Sequence, residues 1–253
     1  MSLTHINCNI FRGAGASNDN SSYVALNPRG EPGSLVIGVS IAAKESISSQ
    51  VACKLGLEHY INGVLDFYES KTESEDEASG SKPGAISLEV LETAFKKANS
   101  SVYQFAHKLA AGGRMASSLL GVVLEDKVIA AGKVGPGNVY LFRAGELFPF
   151  FETNTGAAVP SEVSHEGLIG AHSFVSVELA SIPVEQGDDI VIFPFNVTND
   201  QQLELQKLLS ENVADKENAA AFICKHIFPD TQRIPFSACA SLGPETIYLA
   251  EAV

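Results

Sequence analysis

Basic residues are scarce in this chain, and their scarcity argues against two classes of partner. Lysine and arginine total 17 against 30 aspartates and glutamates, so the formal net charge is −13 at pH 7. A strongly negative protein repels the phosphate backbone of nucleic acid and the anionic surface of a membrane. We therefore expect neither nucleic acid nor a membrane as a partner.

Cysteine is also sparse, and its spacing excludes the usual cysteine frameworks. Cys8, Cys53, Cys224 and Cys239 lie far apart in apolar surroundings and form no Cys-x-x-Cys pair. This spacing predicts reduced core residues and neither disulfides nor metal ligands.

Long apolar runs and export signals are missing as well. No stretch approaches the length of a membrane-spanning helix. The first residues, Met1 to His5, lack the charged and apolar regions of a signal peptide. With 253 residues the chain can bury a sizeable core. We expect a cytoplasmic protein that forms one domain, residues 1–253.

What the chain does have is a series of β-rich runs in its centre. Short turns separate them, among them the turn Gly135-Pro136-Gly137. Because short turns join antiparallel neighbours, the runs predict one antiparallel meander. The predicted strands lie within residues 113–124, 127–134, 138–143 and 146–148.

Further strands and amphipathic helices flank this centre. Helices are predicted at 46–68, from the capping residue Ser87 to about 109, after Thr198 or Asn199, and after Asp215. Strands are predicted at 5–11, 23–26, 35–39, 174–179, 190–193 and 236–242. Between the first two helices, residues 69–84 contain no large apolar side chain, so we predict a mobile acidic loop there.

This pattern resembles the metal-dependent protein phosphatases of the 2C type. Met115-Ala116-Ser117-Ser118 stands where that family has Gly-Met-Gly-Thr-Thr, and the run from Lys133 to Leu141 stands where it has Asn-Val-Gly-Asp-Ser-Arg and a Tyr-Leu strand. The resemblance extends in order along nearly the whole chain. It implies the family's α+β fold, a four-layer α-β-β-α sandwich of two packed antiparallel sheets flanked by helices.

The resemblance also indicates where the family's metal-binding aspartates would stand, and none of those positions holds an aspartate. The first is Ser21, with Asp19 nearby but out of register. The Asp-Gly pair that holds both metals corresponds to Ile41-Ala42, or begins at Ser40 if the count is wrong by one residue. Phe195 stands at the position of the aspartate in the family's Ser-Asp-Gly-Leu motif.

The last metal position depends on the C-terminal segment. If 236–242 corresponds to the family's final strand, Ile234 stands at the position of the metal-binding aspartate and residues 245–253 form an additional hairpin strand. Matching on Thr246 places Gly243 at the aspartate position instead. We prefer the first match, because the second leaves too long a gap after the helix. Asp188 corresponds to a structural turn aspartate of the family.

These substitutions indicate a pseudophosphatase. Mg²⁺ and Mn²⁺ prefer carboxylate oxygen, and without the ions a water molecule stays a poor nucleophile. We therefore expect no catalytic residue, no metal and no cofactor, and a role as a protein-binding or regulatory module. The expected partner is a protein, with a phosphoprotein or a kinase as the classes considered. The alternative is an active metal-dependent serine/threonine phosphatase with a rebuilt metal site.

A rival interpretation makes Ser40 the nucleophile of a serine hydrolase. The run from Gly38 to Ala42 follows an apolar strand and nearly matches the Gly-x-Ser-x-Gly elbow of α/β-hydrolases. However, the elbow needs glycine where Ala42 stands, and the strands here do not alternate with helices. We predict that Ser40 is a strand-end or pocket residue. His165 and His172 lack a metal motif and are predicted to be ordinary loop histidines.

Overall fold

A computed structural model describes most of the chain, which divides into two compact units. The first comprises Met1–Asn18, Pro136–Ser161 and Val184–Val253, and the second comprises Asp19–Gly135 and Glu162–Pro183. The single domain predicted from the sequence stays a prediction. The described residues are 5–13, 20–28, 34–72, 83–109, 115–125, 127–152, 167–212, 218–229, 236–243 and 248–252.

Fifteen elements follow one another within the described residues. They are β1 (His5–Phe11), β2 (Ser21–Leu26), β3 (Leu35–Ala42), α1 (Ile47–Thr72), α2 (Pro83–Lys108), β4 (Ser117–Glu125), β5 (Val128–Val134), β6 (Asn138–Arg143), β7 (Glu146–Pro149), β8 (Glu178–Pro183), β9 (Asp189–Phe193), α3 (Asn199–Ser210), α4 (Ala219–Ile227), β10 (Ser237–Gly243) and β11 (Tyr248–Ala252).

The second unit is built on a five-stranded antiparallel sheet in the order β2-β3-β4-β5-β8. The apolar sides of α1 and α2 pack on one face of it. Glycines lie opposite one another in three adjacent strands, Gly38 in β3, Gly121 in β4 and Gly132 in β5. Tyr60 of α1 lies over the first two, and its ring meets Phe95 of α2 edge-on at 5.5 Å between centroids. The missing side chains make room for the aromatic core.

The first unit is built on a six-stranded sheet in the order β11-β1-β10-β9-β6-β7. Its pairs are antiparallel except that β11 runs parallel to β1. On one face, strand side chains such as Tyr140 and Phe193 pack with α3 and α4. The opposite face is apolar and buried too, with Ile10, Leu141 and Ile190. Strands buried on both faces explain why the sequence shows continuous apolar runs.

One predicted connection is wrong. All four strands of the expected meander form, but β5 pairs with β4 and β8, whereas β6 pairs with β7 and β9. β5 and β6 therefore belong to different sheets. The turn between them uses positive φ angles at Gly135 and Gly137, 92° and 132°, which glycine adopts without strain. A short turn between two strands therefore does not by itself make them partners in one sheet.

Several predicted boundaries also need correction. α1 continues to Thr72 and α2 begins at Pro83, so both ends of the predicted loop 69–84 are helical, and residues 73–82 lie outside the described part. Ser87 is buried within α2 and is not its cap. Proline suits the first position of a helix, because its missing N–H has no partner there anyway.

Two strands differ from their predictions. β8 occupies Glu178–Pro183 instead of 174–179, because its register with β5 starts at Glu178 opposite Lys133. β11 pairs with β1, so the additional C-terminal strand is not a hairpin partner of β10. Asp215, the predicted cap of the last helix, lies outside the described residues, and Asn218 is the residue that precedes α4.

Other predictions are confirmed. Thr198 caps α3 through a reciprocal capping box with Gln201. All four cysteines are free and buried. Asp188 is a structural residue: its carboxylate is almost fully buried, receives Arg143 Nε at 2.8 Å and accepts the Glu185 N–H at 2.7 Å. None of the helices that the structure describes has the length and apolar character needed to cross a membrane.

Candidate functional site

Two of the predicted metal positions lie opposite each other in the second unit. The pairing of β2 with β3 places Ser21 beside Ile41, and the pairing of β3 with β4 places Ser118 on the other side of Ile41. Residues opposite one another in a sheet project from the same face. The Ser118 hydroxyl donates to the Ile41 carbonyl at 3.4 Å. This row therefore offers two hydroxyls and one aliphatic side chain.

Ala42, the third predicted position, is the last residue of β3, the strand that pairs with β2 on one side and with β4 on the other. Its N–H donates to the Asn20 carbonyl at 2.8 Å, and the next N–H, of Ala43, donates to the Ala116 carbonyl at 3.2 Å. The Asn20 side chain in turn accepts a bond from Gln50 of α1 at 3.0 Å. These bonds hold the strand end in ordinary sheet geometry, and the side chain that it presents is a methyl group.

Phe195, the fourth predicted position, lies in the first unit at the corner between β9 and α3. Its side chain is 5% exposed. The ring lies 5.4 Å from that of Phe193 and 4.9 Å from that of Phe228, which it meets edge-on at 85°. Phe195 is therefore part of the aromatic core under α3 and α4. A cation beside this ring would lose its hydration and gain no opposite charge.

Comparisons with known proteins bear on the fold. No protein-family model and no curated protein sequence matches the chain. Among solved structures it is similar to the serine/threonine phosphatase PstP/Ppp of Mycobacterium tuberculosis, with 15% identity, 94% of this chain and 98% of that chain covered, and a TM-score of 0.63. It is also similar to the PPM Ser-Thr phosphatase MsPP of Mycobacterium smegmatis, with 13% identity, coverages of 96% and 100%, and a TM-score of 0.58. The chain has the PPM phosphatase fold.

A third match is PppA of Pseudomonas aeruginosa, described as a key regulatory component of T6SS, with 14% identity, coverages of 95% and 98%, and a TM-score of 0.63. Identities this low establish the fold alone. The α+β fold class predicted from the sequence, that of the 2C-type or PPM phosphatases, is confirmed.

The predicted metal positions are divided between the two units. Ser21, Ile41 and Ala42 come together at one end of the β2–β3 pair, and Phe195 lies in the core of the first unit. Ile234 and Asp19 lie outside the described residues. Gly243, the alternative to Ile234, ends β10 and has no side chain to offer.

These residues do not fit the divalent ions that the PPM resemblance implies. Mg²⁺ and Mn²⁺ take carboxylate oxygens in most protein sites, whereas the described positions provide a hydroxyl, two aliphatic side chains and a buried ring. Over the described ranges, no three His, Cys, Asp or Glu side chains are grouped so that they could hold a metal ion. We therefore derive no metal-dependent step for this chain.

Ser40 is not placed as a nucleophile, so the serine hydrolase interpretation is wrong. β3 continues beyond it to Ala42, and α1 begins only at Ile47, so the sharp strand-to-helix turn of the elbow does not form at Ser40. Ser40 is fully buried, and its hydroxyl donates to the Ser118 carbonyl at 2.7 Å. It is an interior strand residue, whose carbonyl accepts a bond from the Cys53 thiol at 3.1 Å.

One important polar residue was missed from the sequence, Asn99 of α2. Its amide nitrogen donates to the carbonyls of His172 and Ser173 at 3.1 and 3.3 Å, and its amide oxygen accepts the Gly170 N–H at 2.8 Å. His172 is a loop residue, as predicted. The signal was present: Asn99 follows Ala98 on the apolar side of α2, where an amide is out of place unless it has partners.

Proposed function

We propose that this protein is a pseudophosphatase with the PPM fold, which does not hydrolyse phosphomonoesters and acts as a protein-binding or regulatory module. One observation carries the proposal: no described position at which the resemblance places a metal aspartate has a carboxylate. The three positions in the second unit are Ser21, Ile41 and Ala42, and the one in the first unit is Phe195.

The chemical argument concerns the attacking water. A bound divalent ion lowers the pKa of its bound water and so makes hydroxide available as a nucleophile. Without carboxylate ligands the ion is not held, and the water stays protonated. The side chains of Ile41 and Ala42 also offer no hydrogen bond to a phosphate dianion. Both effects favour loss of catalysis.

Hydrolysis of para-nitrophenyl phosphate tests the proposal. The pure chain is assayed with Mg²⁺, with Mn²⁺ and with EDTA, and the phosphatase PstP/Ppp of Mycobacterium tuberculosis serves as the active reference. We expect no turnover above the protein-free rate in any of the three conditions. Turnover that needs metal and stops with EDTA would contradict the proposal and support the alternative, an active phosphatase with a rebuilt metal site.

The partner is proposed to be a protein, either a phosphoprotein or a kinase. The phosphatase fold supports this choice, and the net charge of −13 disfavours nucleic acid and anionic membranes. A cytoplasmic location belongs to the same proposal. Binding of the chain to phosphoserine peptides and to the same peptides without phosphate tests the phosphoprotein class. Equal binding to both sets would leave the kinase as the proposed partner.

A further inference from the structure

The corner between β9 and α3 is joined to the end of α4 by aromatic contacts. Phe195 in the corner and Phe193 at the end of β9 both meet Phe228, which directly follows α4, at 4.9 and 5.5 Å between ring centroids. Both contacts are edge-on, the arrangement that aromatic pairs prefer. Phe228 is buried as well. Three rings thus hold a strand end, a corner and a helix end together.

Polar contacts join the same two segments. Gln201, in the first turn of α3, donates to the carbonyl of Ile227 at 3.4 Å, next to Phe228 in the chain. The same Gln201 side chain accepts the Thr198 N–H at 2.9 Å and completes the capping box. Asn196, beside Phe195, accepts the Gly137 N–H at 3.4 Å. The corner is therefore fixed on both sides of Phe195.

We infer that Phe195 has made this corner a structural lock, on which the stability of the protein depends in place of a divalent ion. The inference rests on the proposed function in one respect, because it takes position 195 as a former metal position. Clustered aspartates repel one another until cations neutralise them, whereas a buried ring contributes stability with no ion present. Returning an aspartate to position 195 therefore places a charge among aromatic rings and restores no site.

Thermal unfolding of Phe195 variants tests the lock. The full chain has no tryptophan, so unfolding is followed by circular dichroism. Phe195→Ala is expected to lower Tm by roughly 6–20 °C, because it leaves a cavity in the core. Phe195→Leu fills more of the space of the phenylalanine side chain and should lower Tm by less. It remains informative if the alanine variant does not fold. Phe195→Asp is expected to cost the most.

The matched control is Phe222→Ala, which removes a ring of α4 that is 43% exposed. A surface change of this kind should shift Tm by no more than about 2 °C. The partner variant Phe228→Leu is combined with Phe195→Leu, and the double variant should lose less than the sum of the two single losses, because the two rings stabilise each other.

Metal additions complete the test. Millimolar Mg²⁺, Mn²⁺ and EDTA should leave the Tm of the wild type and of Phe195→Asp unchanged, since only a ligand that binds the native state raises it. The lock is contradicted if Phe195→Ala behaves like Phe222→Ala, or if Mn²⁺ raises either Tm by several degrees. Metal-dependent turnover at metal concentrations that leave both Tm values unchanged, together with a large loss of Tm in Phe195→Ala, would overturn the proposed function but leave the lock standing.

Discussion

Tyr60 fills the space that two glycines leave free in the second unit. A Cβ at Gly121 would lie 2.5 Å from the Tyr60 hydroxyl oxygen, and a Cβ at Gly38 would lie 2.8 Å from a carbon of the same ring. Both distances are shorter than any side-chain contact that a packed interior tolerates. At the scale of the residue, therefore, the two glycines are required because of the tyrosine, and they are not required for backbone flexibility.

Alanine at these glycines should destabilise the protein. We expect Gly121→Ala and Gly38→Ala each to lower the free energy of unfolding by about 1–3 kcal/mol through overpacking. Tyr60→Phe should relieve part of the loss in Gly121→Ala, whose nearest neighbour is the hydroxyl oxygen, and little in Gly38→Ala, whose nearest neighbours are carbons. Urea denaturation of the single and double variants measures both effects.

The control for this experiment is Gly243→Ala. Gly243 also belongs to a strand, and no described atom lies within 4 Å of a Cβ built there. The free energy of unfolding of the Gly243→Ala variant should stay the same or rise slightly, because alanine lowers the conformational entropy of the unfolded chain. Equal losses in Gly243→Ala and Gly121→Ala would show that strand glycine itself is needed, and that the fit to Tyr60 is not the cause.

Asn99 shows how a helix positions a segment that has no regular structure. It bonds three backbone groups between Gly170 and Ser173, and Ser117 of β4 exchanges two backbone bonds with Ile169 at 3.0 and 3.2 Å. Gly170 has φ +85° and lies so close to Val102 that a Cβ would overlap with it. At the scale of the element, α2 therefore fixes the chain that leads into β8.

Loss of Asn99 should loosen this segment. We expect Asn99→Ala to lower the free energy of unfolding by about 1–3 kcal/mol, because it leaves the buried N–H of Gly170 without its partner. Hydrogen exchange at Ile169 and Gly170 should rise more than exchange in β4. The control is Gln104→Ala, which removes an exposed amide from the same helix. It should change the free energy of unfolding by no more than about 0.5 kcal/mol. Similar exchange in both variants would contradict this role.

The sequence predicts elements better than their pairing. The apolar runs located β1, β3 and β9 within a few residues, and the Thr198 motif located the start of α3. The sequence analysis did not predict that β5 and β6 belong to different sheets. Pairing was inferred from the short turn between the strands, and a turn gives no information about strands that are distant in the sequence. The pairing of Ser21 with Ile41 required the structure, as did the inward packing of Phe195, which depends on Phe228, 33 residues away in the sequence.

At the scale of the whole molecule, both units bury groups that lose a proton at high pH. Burial raises the pKa of Cys8 and Cys224 in the first unit to about 12, from an ordinary value of 9.0. Burial also raises the pKa of Cys53 and Tyr60 in the second unit and of Tyr140 in the first. The folded protein therefore keeps these protons at a pH where the unfolded chain has released them.

Stability should consequently fall in alkaline solution. Below about pH 8 both states keep their protons, so these groups cause no change. Between about pH 9 and 12 the native state binds more protons, and Cys8 and Cys224 each lower the free energy of unfolding by up to roughly 1.4 kcal/mol per pH unit. Urea denaturation at pH 7, 8, 9, 10 and 10.5 measures this slope. Cys8→Ala combined with Cys224→Ala should reduce stability at pH 7 through lost packing and yet flatten the alkaline slope, because two of the titrating groups are gone. An unchanged slope in that variant would show that these thiols do not cause the alkaline loss.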